Sequence, residues 1–324
     1  MDYYEQRDRA YPYNYIMSSI SLLICITGIT LCSFVLNIIF RNRWQKLHID
    51  LKLVTITLFL DLTEAILVLP SAVFDLLGLA SWMPPKISCN ANAILYILAF
   101  VAEVNFVAIV AIERYALIVH HKKLKIIHYI LILIALFSIN IASCTVAYLN
   151  NGFSVHPTAV YCLFNLHTSG GKIGIGILAV SMFSCIIIIY YTYTTIMIKR
   201  RKDLLNMREL FPLKSKQIQN QANSTILKSL SLILASTITN TQYSVLTIMS
   251  LVKPDFYTVI IDTICTACIL LNIVMNTLLL LGMRPDLLDE LKSRFHIKLN
   301  NEFNPEATQL HTLSPESQQA IISL

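Results

Sequence analysis

The chain has 324 residues, 56% of them apolar and 14% charged, with a formal net charge of +6 and a mean hydropathy of +0.63. Soluble domains carry about 25% charged residues, so this composition excludes a water-soluble enzyme. Stretches free or nearly free of charge fall at residues 11–40, 53–74, 87–112, 126–149, 173–198, 229–252 and 256–283. Each can cross a hydrocarbon core of about 30 Å at about 1.5 Å per residue. The expectation is an all-α membrane protein, a seven-transmembrane helix bundle over residues 15–283. A β-barrel would alternate apolar and polar residues in segments of about ten, whereas residues 126–137 (IIHYILILIALF) are nearly unbroken.

Residues 1–14 have mixed charge and lack the basic start of a cleaved signal peptide, so the first helix is expected to be retained behind a short extracellular N-terminus. Tyr3, Tyr4, Tyr11, Tyr13 and Tyr15 either meet a basic peptide or carry sulfate or, for the later ones, form an interfacial aromatic belt. Asn37 lies toward the end of the first span, and Asp61, Glu64 and Pro70 lie in the second. The third opens at Cys89 and passes Tyr96 and Glu103. It ends in Glu113-Arg114-Tyr115, with Ile118 four residues after the arginine. An arginine at a span end can simply snorkel to the headgroups. The 25 residues from Cys89 to Arg114 make about 37 Å of helix, however, and place the two at opposite membrane faces.

Of eight cysteines, six sit inside apolar runs, where the residue behaves as a small hydrophobe. Cys89 and Cys162, the latter in the loop between spans four and five, fall on the oxidising side and are expected to pair. Asp262, Asn272 and Asn276 lie in the seventh span. Residues 284–298 read as an amphipathic helix with Leu287, Leu288, Leu291 and Phe295 on one face. Residues 299–324 read as a disordered cytoplasmic tail, and its Thr308, Thr312, Ser314 and Ser317 are candidates for phosphorylation. The sequon at Asn223 falls on the cytoplasmic side, where glycosylation does not occur.

Lys and Arg fix the orientation, because cytoplasmic loops retain positive charge. The segments after spans one, three, five and seven hold four, four, eight and four; the N-terminus and the other loops hold two, one, one and one, giving 20 against 5. The N-terminus is therefore expected outside, and the positive charge belongs to the cytoplasmic face without any nucleic acid.

Carboxylates at membrane depth cost about 2.5–3.5 kcal/mol each and mark function. Glu103 lies 11 residues before Arg114, about 16 Å inside, and Asp61 lies at matching depth with Glu64 beside it on the same helix. Such groups cannot all be ionised together without a cation. Three readings stay open: a sodium or divalent cation site, a protonation switch, or a structural network with Asn37, Asn272 and Asn276.

These features resemble the rhodopsin-like (class A) G-protein-coupled receptors. The resemblance rests on seven helices, the Cys89 to Arg114 interval, Glu-Arg-Tyr with Ile118, Cys162, Asn37, Asp61 with Pro70, and Asn272 with Asn276, and it runs to about residue 295. It implies a receptor at the plasma membrane, without enzymatic chemistry of its own, that transmits an extracellular ligand signal to a heterotrimeric G protein. Arg114 would pair with its neighbour Glu113 at rest and be uncovered when helix six swings outward, with Ile118 and the basic third inner loop forming the rim. It also implies an arrestin-like partner at the tail and a sodium ion at the carboxylate level, with no other cofactor. Thr277 and Leu280 replace the Pro and Tyr of the helix-seven motif, and helix six lacks Cys-Trp-x-Pro. The interval from Asn37 to Asp61 is about one helical turn short for the family.

Tyr96 stands where amine-binding members carry Asp, which disfavours a biogenic amine, and no lysine in helix seven serves retinal. Tyr96 and Asp262 are the ligand-pocket candidates; Asp262 either meets a cationic group or reaches water. No HExxH, GxSxG or phosphate-binding loop occurs, nor any metal-type Cys/His spacing. The rival reading is a transporter or channel using the same carboxylates, whose helices are often broken by Gly or Pro near the midplane; against it, Pro70 is the one proline within a predicted span.

Overall fold

The computed structural model describes residues 3–41, 49–79, 83, 86–210, 215–253 and 256–294. In chain order these form α1 (Tyr3–Ala10), α2 (Tyr13–Arg41), α3 (Ile49–Leu76), α4 (Lys86–Val119) and α5 (Ile126–Leu149). A short hairpin follows, β1 (Phe153–Val155) and β2 (Cys162–Phe164), then α6 (Ser169–Leu210), α7 (Ser215–Ser236), α8 (Gln242–Val252), α9 (Val259–Met283) and α10 (Pro285–Arg294). Helices α2 to α6 and α9 are each long and apolar enough to cross a membrane. The remaining crossing is composite, because α7 runs into α8 through a π-helical turn, Thr237–Thr241.

Leu23, Ile66, Ile134, Val180 and Ile187 point outward and exposed. An apolar belt of this kind would be a liability in water, but it suits lipid. Helix α4 is the axis: 67% of its apolar window is buried, against 22% for α5 at the periphery. It packs against α3, α5 and α6, while α2 packs between α3 and α9. Since lipid removes most of the hydrophobic drive between helices, association relies on close packing. Gly28 shows this, because a Cβ there would collide with Ile273 of α9.

At the disulfide end the hairpin pairs antiparallel, Val155 opposite Cys162, and Cys89 is bonded to Cys162. The strands add a small element to the expected all-helical fold. Helix α1 was not expected either. It is polar and only 8 residues long, too short to be stable alone, and it is held by docking. The Tyr3 hydroxyl donates to the Ala159 carbonyl at 3.3 Å and Gln6 Nε2 to the His156 carbonyl at 2.8 Å. Arg7 pairs with Asp75 at 3.2 Å, and Ser18 donates to the same carboxylate at 2.8 Å. Burial pushes the Tyr3 phenol up to about 12. Tyr3 is thus engaged within the fold, whereas Tyr4 and Tyr11 are exposed.

At the opposite end, here the arginine end, α6 continues past residue 198 to Leu210. Helix α10 lays Leu287, Leu288 and Leu291 against Leu51, Leu280 and Leu281. Phe295 and the expected tail lie outside the described residues.

Candidate functional site

Helices α3, α4 and α9 bring the expected carboxylates and amides together mid-bundle. Asn276 Nδ2 donates to Asp61 Oδ1 at 3.2 Å and to Glu103 Oε1 at 2.5 Å, and Asn272 Nδ2 donates to the same Glu103 oxygen. The carboxyls of Glu64 and Glu103 are in hydrogen-bond contact. Asp61 and Glu103 are 0% exposed and Glu64 3%. The second oxygen of each is buried without a hydrogen-bond partner, an arrangement costing about 1–3 kcal/mol per group. Among the described residues no Lys, Arg or His makes an ion pair with them, and no group of three or more His, Cys, Asp or Glu is disposed to hold a metal ion.

Asn37 does not join this network. It is exposed on α2, and the α2 group facing the cluster is Cys32, whose Sγ lies 3.2 Å from Thr277 Oγ1. Five residues separate Cys32 from Asn37, a rotation of about 140° around the helix. Thr277, at the position of the family's helix-seven proline, keeps its backbone N–H and sits inside an unbroken α9.

Toward the disulfide end lies an open cavity, about 510 Å³ with its solvent-open part included, lined by Glu64 at its floor, by Tyr96, Phe100 and Tyr243, and by Tyr161 of the hairpin. Tyr96 stacks on Tyr161 with ring centroids 5.9 Å apart. Asp262 reaches neither water nor this cavity. Fully buried, it accepts from the Tyr161 hydroxyl, from the Thr158 N–H at 3.0 Å and from Thr266 Oγ1 at 3.3 Å, and it lies 2.7 Å from His156 Nδ1. With the disulfide, and with Asn92 Oδ1 accepting from the Cys162 N–H at 3.0 Å, it latches the hairpin over the bundle. Burial and the Asp262 carboxylate push the Tyr161 phenol well up. His156 and Tyr161 were missed by sequence reasoning; the only signal was their proximity to Cys162.

At the arginine end, Glu113 is buried within electrostatic reach of Tyr129 of α5, while Arg114 lies near Tyr193 of α6 and Lys228 of α7. Glu113 is also within electrostatic reach of Tyr193, so α6 feels both charges of the pair. Tyr115 meets His120 edge-on at 5.1 Å and Tyr191 of α6 at 5.9 Å. Ile118 packs against the cluster that holds Ala111, Tyr193 and Ile196.

The composite crossing carries a feature that the sequence did not announce. In a π-helical turn one extra residue is accommodated and the regular backbone ladder is interrupted. Tyr190 of α6 braces this one, its hydroxyl bonding Thr237 Oγ1 and, at 3.1 Å, Thr241 Oγ1.

Residues 33–283 match the family model described as 7 transmembrane receptor (rhodopsin family). The crystal structure of squid rhodopsin superposes with a TM-score of 0.72 over 91% of this chain and 89% of that one, at 14% sequence identity, a likeness of fold. Among curated protein sequences none matches. Members of this family are receptors rather than enzymes, and the matched residues run from α2 through α9. The chain belongs to the rhodopsin family of seven-transmembrane receptors.

Proposed function

We propose that this receptor sits in the plasma membrane with residues 1–14 and the disulfide outside and the arginine end in the cytoplasm. There it converts an extracellular ligand signal into nucleotide exchange on a heterotrimeric G protein. The observation that carries this reading is Arg114, at the end of α4 and within electrostatic reach of Tyr193 of α6 and Lys228 of α7. Outward movement of α7 uncovers it.

The π-helical turn supplies the hinge that the family's helix-six proline would supply. Its interrupted ladder makes bending there easier than in an unbroken helix, and the Tyr190 brace sets the resting position. Swinging α7 away from α4 opens a cleft in which Arg114 meets the C-terminal helix of the Gα subunit. Tyr115, Ile118 and the basic Lys199 to Lys202 extension of α6 form its rim. Glu113, beside Tyr129, anchors α4 against α5 while α7 moves. An arrestin-like partner would take a phosphorylated tail.

The orphaned oxygens of Asp61 and Glu103 are hard donors suited to a sodium ion. When bound, sodium supplies the positive charge that the buried cluster lacks. The other reading of the cluster is a proton held among Asp61, Glu64 and Glu103, which predicts signalling that changes between about pH 5.5 and 8. The transporter reading is not favoured: Pro70 is the only proline inside a described membrane-spanning helix.

The test is exchange on purified Gα subunits by the receptor in nanodiscs, with and without sodium, wild type beside Arg114→Ala. Exchange that disappears with Arg114→Ala supports the receptor. Ion flux through the protein in liposomes, with no exchange on any Gα, would overturn it.

A further inference from the structure

We propose that the cavity between α3, α4, α6, α8 and α9 takes a ligand with a compact apolar or aromatic body and one cationic head, and that Glu64 receives that head. This rests on the receptor reading above and names the chemical class of its ligand.

The cavity opens toward solvent and encloses about 510 Å³ only when that open space is counted, so it suits a small ligand. Its walls are apolar or aromatic, and the rings of Tyr96, Phe100, Tyr161 and Tyr243 present faces that attract cations. Its charged group is Glu64 at the floor, 3% exposed, with Oε2 buried and without a partner. The carboxyl touches Glu103, and no basic side chain among the described residues is paired with either. A ligand without a donor would leave that acceptor buried and unsatisfied, and a neutral donor such as a hydroxyl would satisfy it without supplying charge. An anionic one would add a further negative charge to a site that already crowds two acids. An ammonium or amidinium group supplies both the donors and the compensating charge.

The other acid near the cavity, Asp262, is already engaged by His156, Tyr161 and Thr158. Position 96, where a counter-ion for an amine would stand, carries Tyr96. The structure offers the carboxylate from the neighbouring helix.

The experiment measures binding of phenylbutylamine, a cation at neutral pH, and of phenylbutanol, its uncharged counterpart, to the full-length receptor in nanodiscs by titration calorimetry, with empty nanodiscs subtracted. The amine is expected to bind saturably and at least about tenfold more tightly than the alcohol. Glu64→Gln is expected to erase that preference, and Glu64→Asp to keep it. Ile269→Trp, which fills the cavity, is expected to weaken both. Equal affinities in the wild type, a preference that survives Glu64→Gln, amine binding untouched by Ile269→Trp, or no saturable amine binding up to about 1 mM would each overturn the proposal. Because the readout is binding, its failure is distinct from failure of the receptor reading, which rests on nucleotide exchange and Arg114→Ala.

Discussion

The carboxyl of Glu64 touches that of Glu103 while lining the floor of the cavity above it. A single side chain therefore borders both the space suited to a ligand and the polar network that ties α3, α4 and α9 together. A change of charge in the cavity is felt first by Glu103, and through Asn272 and Asn276 by α9.

Asn276 donates to both Asp61 and Glu103. Asn276→Leu is expected to destabilise the receptor by about 1–3 kcal/mol, because it leaves the buried Asp61 Oδ1 without its donor and Glu103 Oε1 with Asn272 alone. Asn37→Leu, on the exposed face of α2, is expected to leave the melting temperature unchanged. Thermal unfolding in nanodiscs checks both, and a large loss from Asn37→Leu would return that residue to the network.

The latch at the disulfide end predicts local loosening. Tyr161→Phe and Asp262→Asn remove hydrogen bonds to a buried carboxylate or its charge, each worth about 1.5–3 kcal/mol. Hydrogen exchange across residues 153–164 should accelerate in both variants, while exchange in the middle of α4 stays as in the wild type. Reduction of the Cys89 to Cys162 bridge, which closes a sequence separation of 73 residues, should lower the melting temperature further, by the equivalent of about 2–5 kcal/mol.

The brace on the π-helical turn sets basal activity. Tyr190→Phe removes the hydroxyl that bonds Thr237 and Thr241, at a cost to the resting state of about 1 kcal/mol. Basal nucleotide exchange should rise roughly fivefold. Unchanged or lower exchange would assign the turn a purely structural part.

Lys228 and Arg114 place like charges near each other at the junction of α4 and α7. Lys228→Glu replaces repulsion by attraction across the seam that must open. Basal exchange is expected to fall several-fold, by an energy of about 1 kcal/mol, and to recover in high salt as the pair is screened.

The parts of this molecule legible in the sequence are those written along one helix or in the charge of whole segments. The spans follow from runs without charge. Asp61, Glu103, Asn272 and Asn276 meet because counting residues along three crossing helices fixes their depth. Asn37 failed where rotation rather than depth decides: it sits at a suitable level but about 140° away from the face that Cys32 presents. Asp262 reads as an acid that meets a cationic ligand group or water, yet it is buried on partners in a loop 104 and 106 residues distant, which no local pattern encodes. The turn at Thr237–Thr241 is set by packing against Tyr190, and α1 by docking onto the hairpin, so neither leaves a periodic trace.

The most direct test of the central claim is a distance. Spin labels at His120→Cys, at the end of α4, and at Leu227→Cys, on the exposed face of α7, report the gap that must widen for Arg114 to meet a G protein. Pulsed electron resonance on the receptor in nanodiscs should show a population longer by roughly 5 Å or more once a nucleotide-free G protein is added, and Arg114→Ala should reduce that population. A distribution that G protein leaves unmoved, in a receptor that binds it, would contradict the account.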